Sequence, residues 1–323
     1  MKQENKSLYI GAAAVAGAIL LRLFSGNLPG RLIAFFSKPE TVTALTFLET
    51  GTLVRLPQPE NTPFPTVPEE NLPVTLPEED PQFCKEDAEL VTVNNHSGCA
   101  IQIPQLLETP LAWNLTADEP TVLILHTHTT ESYADCSDSY RSLEEENNML
   151  AIGQYIQQNL EKAGIGVIHD RSLHDYPSYN GSYNHARKSI QEYLKEYPSI
   201  CLVLDIHRDA MEDSQGNQIQ TCVTVNAQES AQLMAVVGTN GSGLHHPNWQ
   251  KNMALALKLH VQLERMYPGI TRPISLRSQR FNQDLLPGAM LIEVGAAGNT
   301  QAQALQAALC LSNAIISLAG GTE

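Results

Sequence analysis

Two apolar runs in this chain end in histidine, and a third is interrupted by glutamate. Thr121 to Tyr133 reads T-V-L-I-L-H-T-H-T-T-E-S-Y, so Val122 to Leu125 lead straight into His126, His128 and Glu131. Cys201 to Asp209, C-L-V-L-D-I-H-R-D, delivers His207, and Met290 to Gly295, M-L-I-E-V-G, holds Glu293. A lone histidine at a strand end is most often structural, but His128 and His207 each close a hydrophobic run with acidic residues beside them. A carboxylate inside an apolar strand is costly to bury unless it is paired, metal-bound or protonated, which singles out Glu293, with a structural salt bridge as its alternative. Two neutral imidazole nitrogens and a carboxylate form the donor set of a catalytic zinc, whose fourth position takes a water of lowered pKa. His128 and His207 supply the nitrogens. Glu131 reaches the same ion through a tight turn, and Glu144, at the start of the following helix, is the competing carboxylate. His126 has the strand parity of His128 and reads as a supporting or substitute ligand. Glu293 is assigned as general base and acid, taking a proton from the attacking water and passing it to a leaving amine.

Elements of defined kind must carry these residues. An open α/β sheet places its site beyond the carboxyl ends of its strands, which is where both histidines fall. After a short strand near Val91, the spacing of apolar residues predicts a helix over 145–163, a strand over 165–169, a helix over 184–195 and a strand over 200–206. The runs 221–226 and 234–238 read as a strand pair, 249–266 as a long amphipathic helix, 290–294 as the last strand and 302–318 as the closing helix. Strands alternating with helices give an α/β fold with a mainly parallel central sheet flanked by helices.

The 323 residues, 42% hydrophobic, suffice for a sizeable core. A formal charge of −15 opposes binding to nucleic-acid phosphates, so no nucleic-acid partner is expected. Leu8 to Leu21 is uncharged and apolar, and the stretch to residue 26 is read as an uncleaved N-terminal transmembrane helix rather than a signal peptide, because no small-x-small cleavage site follows it. The positively charged residues on its two sides do not decide its orientation. Residues 27–90 form a juxtamembrane segment and linker; from Leu56 to Pro81 it holds eight prolines and six acidic residues with no Lys or Arg, a composition for an extended tether. Residues 91–323 form the folded domain. The six cysteines include no C-x-x-C pair, which argues against a cysteine zinc site, and Cys84 is able to pair with Cys99 if the domain is extracellular.

The motifs H-T-H-T-T-E-S-Y, D-I-H-R-D-A, H-P-N-W at His246 to Trp249, F-N-Q-D-L at Phe281 to Leu285 and I-E-V-G, in this order, resemble the stage II sporulation protein P family. The resemblance runs from about Val91 to the C-terminus. It implies an amidase-like fold and a zinc-dependent N-acetylmuramoyl-L-alanine amidase that cleaves peptidoglycan between glycan and stem peptide during engulfment, with an added endopeptidase activity on cross-links. It also implies a single-pass membrane protein with an extracytoplasmic catalytic domain, working with a sporulation D-type lytic transglycosylase and an M-type membrane protein. The family's two essential histidines fall on His128 and His207 and its base on Glu293. Related amidases take the third ligand from the position of Glu144, whereas Glu131 belongs to the motif beside His128; Glu131 is the assignment made. Arg208 and His246 are assigned to substrate binding, since a guanidinium grips a peptide carboxylate bidentately; a salt bridge from Arg208 and a loop anchor at His246 are the structural alternatives. A metallopeptidase acting on peptide bonds alone, and a non-catalytic membrane-tethered cell-wall binding or scaffold protein, are the rival functions.

Overall fold

The computed structural model describes residues 81–319 apart from 112, 116 and 117. The anchor expected over 1–26 and the tether as far as residue 80 lie outside the described residues. The chain enters through a 3-10 turn, Lys85–Leu90, whose Asp87 is held by Arg265 at 2.5 Å. The strands are β1 (Val93–Asn95), β2 (Val122–Leu125), β3 (Val167–His169), β4 (Leu202–Asp209), β5 (Cys222–Val225), β6 (Gln228–Ala231), β7 (Leu233–Gly238), β8 (Ile274–Arg277) and β9 (Ala289–Ala296). The helices are α1 (Ile103–Leu107), α2 (Met149–Lys162), α3 (Ser182–Glu196), α4 (Trp249–Met266) and α5 (Gln301–Ala319).

Seven strands form one sheet in the order β1-β8-β7-β9-β4-β2-β3. Every neighbouring pair is parallel except β7 and β9. β2 is buried at all four residues, which is why its sequence is continuously apolar instead of alternating. Leu202, Leu204 and Ile206 of β4 turn to the side covered by α2, α4 and α5. Val203 turns to the other side, where it packs with Leu123, Leu125 and, from α3, Ala186 and Ile190. Helix α3 covers this face over β2, β3 and β4, with Ala289 at the start of β9, and its Tyr183 packs against His128 and Phe281. The same face of the sheet farther along β9 and across β7 and β8 is therefore left as an open floor.

The helices begin and end where local chemistry dictates. Asn148 caps α2 by accepting from the Leu150 amide at 2.9 Å, and Gly164 ends it at φ +82°. Helix α5 is the one described helix long and apolar enough to cross a membrane, yet it is buried along almost its whole length against α2, α4 and β6. Its apolar surface is core surface.

The sheet corrects one expectation. The run 221–226 does not pair with 234–238: β5 pairs with β6, and β7 joins the main sheet between β8 and β9. Asn226 and Ala227 both take positive φ, 50° and 62°, the backbone of a tight two-residue hairpin turn, so β5 finds its partner locally. Strand β8 carries little sequence signal because Arg272 and Pro273 on one side and Arg277 on the other leave only three residues between them. All six cysteines are free thiols, so Cys84 and Cys99 are unpaired.

Candidate active site

His207 and Glu293 sit directly opposite each other on the adjacent strands β4 and β9. Alternation along β4 puts Asp205 and His207 on the face that carries Val203, away from α2 and α5. In the same register Glu293 faces Met234 of β7. A cleft of about 410 Å³ opens over this floor, lined by His128, Glu131, His207, Arg208 and Glu293 among others.

Local bonds set each donor. The turn after β2 closes with the Glu131 amide donating to the His128 carbonyl at 3.1 Å, and this swings the Glu131 carboxylate into the cleft. Arg208 holds that turn from β4: its Nε donates to Ser132 O at 3.1 Å, its Nη2 to Tyr140 O at 2.8 Å, and its Nη1 lies 3.7 Å from Glu131 Oε1. Burial works against the Glu131 carboxylate, but His207 and Arg208 outweigh it and keep Glu131 ionised. Asp205 is fixed by the Thr127 amide and hydroxyl at 2.7 and 2.6 Å and accepts from His207 Nε2 at 2.8 Å. That bond assigns the Nε2 proton of His207, so its Nδ1 points at Glu131 Oε2, 3.5 Å away.

A lone pair facing a carboxylate across this gap is repulsive unless a cation lies between them. Burial opposes a charged His207, yet Asp205 and then Glu131 raise its pKa well above 6.5, so a proton fills the position when nothing else does. Zinc fits the same gap: two ligands of a tetrahedral ion with bonds near 2.1 Å stand about 3.4 Å apart.

His128 completes the set in type but is engaged elsewhere. Its ring lies edge-on to His207 at 5.3 Å between centroids and stacks on Tyr179 at 4.4 Å. The Ser182 hydroxyl donates to Tyr179 O at 2.8 Å and so accepts from His128 Nδ1 at 3.3 Å, which leaves the Nε2 lone pair to accept from the Tyr179 hydroxyl at 3.1 Å. Burial lowers the His128 pKa and favours this neutral form. Among the described residues no three His, Cys, Asp or Glu side chains converge closely enough to hold an ion. The donor set therefore fits zinc in its chemistry, with two donors at ligand spacing and the third held by Tyr179.

Glu293 is half-buried, and its Oε2 is shielded with no hydrogen-bond partner. Burial pushes its pKa up to about 8; Glu131 and Asp209 add to the shift, while His207 and Arg208 oppose it. A carboxyl group of this kind exchanges protons near neutrality, as a general base requires.

Other expected residues lie elsewhere. Glu144 is exposed and accepts from Asn147 Nδ2 at 2.7 Å, outside the cleft. The strand ends at Leu125, so the parity argument for His126 fails: the ring turns under α2, where Nδ1 donates to Ile206 O and Nε2 accepts from His169 Nε2, each at 2.9 Å. His246 is not among the cleft-lining residues; it is 2% exposed, and both of its ring nitrogens are buried without a partner. Arg208 lines the cleft, but its donors are engaged by Glu131 and two carbonyls. Sequence reading missed Asp205 as the group that orients His207, although the D-x-H spacing on a strand places both on one face. Tyr179 and Ser182 carried no sequence signal, since they meet His128 only through the tertiary fold.

The stage II sporulation protein P (SpoIIP) family model matches residues 58–316. The chain belongs to that family. Stage II sporulation protein P of Bacillus subtilis (strain 168) is 27% identical over 208 residues, which is 60% of this chain and 49% of the relative, so the match spans about half the relative's length. Among solved structures, the CwlD amidase from Clostridioides difficile in complex with the GerS lipoprotein is similar at TM-score 0.40 and 16% identity, over 60% of this chain and 96% of that one. The N-acetylmuramoyl-L-alanine amidase AmiC2 of Nostoc punctiforme is similar at TM-score 0.37 and 14% identity, over 60% of this chain and 94% of its own.

Proposed function

We propose that this protein is a membrane-anchored, zinc-dependent peptidoglycan hydrolase that cleaves the amide between N-acetylmuramic acid and the stem peptide. We place it in septal wall thinning and engulfment, with its domain outside the membrane, a further endopeptidase activity on cross-links, and D-type transglycosylase and M-type membrane partners. Family membership supports the setting. The observation that carries the chemistry is the 3.5 Å gap between His207 Nδ1 and Glu131 Oε2, with Glu293 on the neighbouring strand.

His128, Glu131 and His207 would hold the zinc, which would supply Lewis acidity toward the amide carbonyl and acidify water. The residues do the rest. Asp205 keeps the His207 proton on Nε2, and Arg208 keeps Glu131 ionised and in place. Glu293 accepts a proton from water as the oxygen attacks the carbonyl carbon. It then returns that proton to the amine nitrogen as the carbon–nitrogen bond breaks.

A non-catalytic wall-binding role is the second reading, favoured by one observation: the His128 lone pair is taken by Tyr179. Incubating the full chain with purified peptidoglycan and weighing the soluble fragments by mass decides. Free stem peptides support the amidase, cleaved cross-links alone mean a peptidase, and an unchanged wall means a binder. Glu293→Gln is expected to retain zinc and lose about 100-fold or more in rate, whereas His207→Ala loses the metal. Full activity and metal content in His207→Ala would reject the metal-dependent site.

A further inference from the structure

The floor of the cleft continues past Glu293 along one face of the sheet. Glu293 pairs with Met234, Val236 lies two residues on and pairs with Ser275, and Arg277 lies two residues beyond that on β8. Residues paired or two apart share a face, so Arg277 projects on the side that carries Glu293. Arg272, just before β8, lines the same cleft.

These two guanidiniums are differently placed. Arg272 gives Nη2 to Asp209 at 2.7 Å, while its Nη1 is buried without a partner. Arg277 is exposed; it donates Nε to Ser275 Oγ at 2.8 Å, and among the described residues no carboxylate lies within ion-pair distance of it. In a chain of formal charge −15, a cationic end to the cleft is a local reversal of sign. Two strand spacings, about 10 Å, separate β9 from β8. Arg277 also lies four residues farther along the strands, about 13 Å, so the Glu293 and Arg277 backbones stand about 16 Å apart. The Arg277 side chain bridges about 6 Å of this, and an extended peptide covers the rest in about three residues.

We propose that Arg277, assisted by Arg272, forms a carboxylate-binding subsite for an acidic peptide lying obliquely across β9, β7 and β8, about three residues past the amide held at Glu293. This rests on the amidase reading of the cleft and names what that cleft selects. Arg277 presents a guanidinium with its terminal nitrogens free, and the unpartnered Nη1 of Arg272 supplies a second donor. A peptide with its carboxylates capped as amides loses both contacts while keeping its shape.

The test compares N-acetylmuramyl-L-Ala-D-Glu-L-Lys with the same molecule in which both free carboxylates are carboxamides. Binding to the full chain in detergent is measured by calorimetry in the Glu293→Gln background, where the ligand stays intact. The free acid is expected to bind about tenfold more tightly than the diamide. Arg277→Gln, a change at an exposed position, abolishes that preference and leaves diamide binding unchanged. Equal binding of the two ligands, absence of binding, or a preference that survives Arg277→Gln overturns the subsite. Release of stem peptide from purified wall by the unmodified chain is measured in parallel. If release occurs without carboxylate preference, the subsite alone fails; if release is absent, the amidase reading fails while the binding comparison still decides the subsite.

Discussion

At the scale of single residues, the position of one proton decides what His128 can do. With Ser182 accepting from Nδ1, the Nε2 lone pair belongs to the Tyr179 hydroxyl. A metal that takes this nitrogen must displace that hydroxyl. Tyr179 is 54% exposed, so removing its hydroxyl leaves the core untouched. Tyr179→Phe is expected to tighten zinc binding about fivefold, the equivalent of one hydrogen bond near 1 kcal/mol. Competition against a chelator of known affinity measures it, and unchanged or weaker binding would show that Tyr179 does not restrain His128. Asp205 is the opposite case. Its bond to His207 Nε2 leaves Nδ1 turned toward Glu131, and this orientation suits the ligand role.

At the scale of elements, helix α2 approaches β2 and β3 so closely that only glycine fits at one point of contact. A Cβ at Gly153 would lie 2.5 Å from His126 Nε2 and 2.6 Å from His169 Nε2. Alanine gains about 1 kcal/mol of helix propensity, but forcing apart two imidazoles joined by a 2.9 Å bond costs about 1–3 kcal/mol. Gly153→Ala is therefore expected to lower stability in urea unfolding despite its better propensity. The loop after β3 shows a second dependence, on pH. Burial works against the Asp170 carboxylate, but bonds from His174 and Ser172 hold its pKa down to about 2, against an ordinary 3.8. A folded pKa below the unfolded one means that the contribution is complete above about pH 4 and is lost as pH falls through 2. The same loop anchors the turn that carries His128 and Glu131, through Thr129 Oγ1 donating to Ser172 O at 2.7 Å. Asp170→Asn is expected to destabilise the protein at pH 7 by at most about 2 kcal/mol and to flatten the stability loss between pH 4 and 2, as read by unfolding at each pH.

At the scale of the whole molecule, two segments are apolar enough to raise the question of a membrane. Helix α5 answers it for the folded part, since its apolar faces are already covered by α2, α4 and β6. The stretch to residue 26 is the proposed site of attachment. In detergent phase partitioning, the full chain is expected in the detergent phase and the chain lacking residues 1–80 in the aqueous phase. A truncated chain that stays with detergent would mean that the folded part has membrane affinity of its own.

The kinds of residue at the site were legible in the linear chain because chemistry limits them. A buried strand reads as continuous apolar sequence, so polar residues at its end or inside it stand out; this exposed His128, Glu131, His207 and Glu293. Long helices were legible for the same reason: α4 spans Trp249–Met266, the run predicted from its spacing. Strand order, and with it every approach across the sheet, depends on contacts between residues far apart in the chain. Only the tertiary structure decided that β7 lies between β9 and β8, that His126 turns under α2, and that Tyr179 meets His128. A local pattern sets which side chains a segment offers, while long-range packing sets which of them share a cleft.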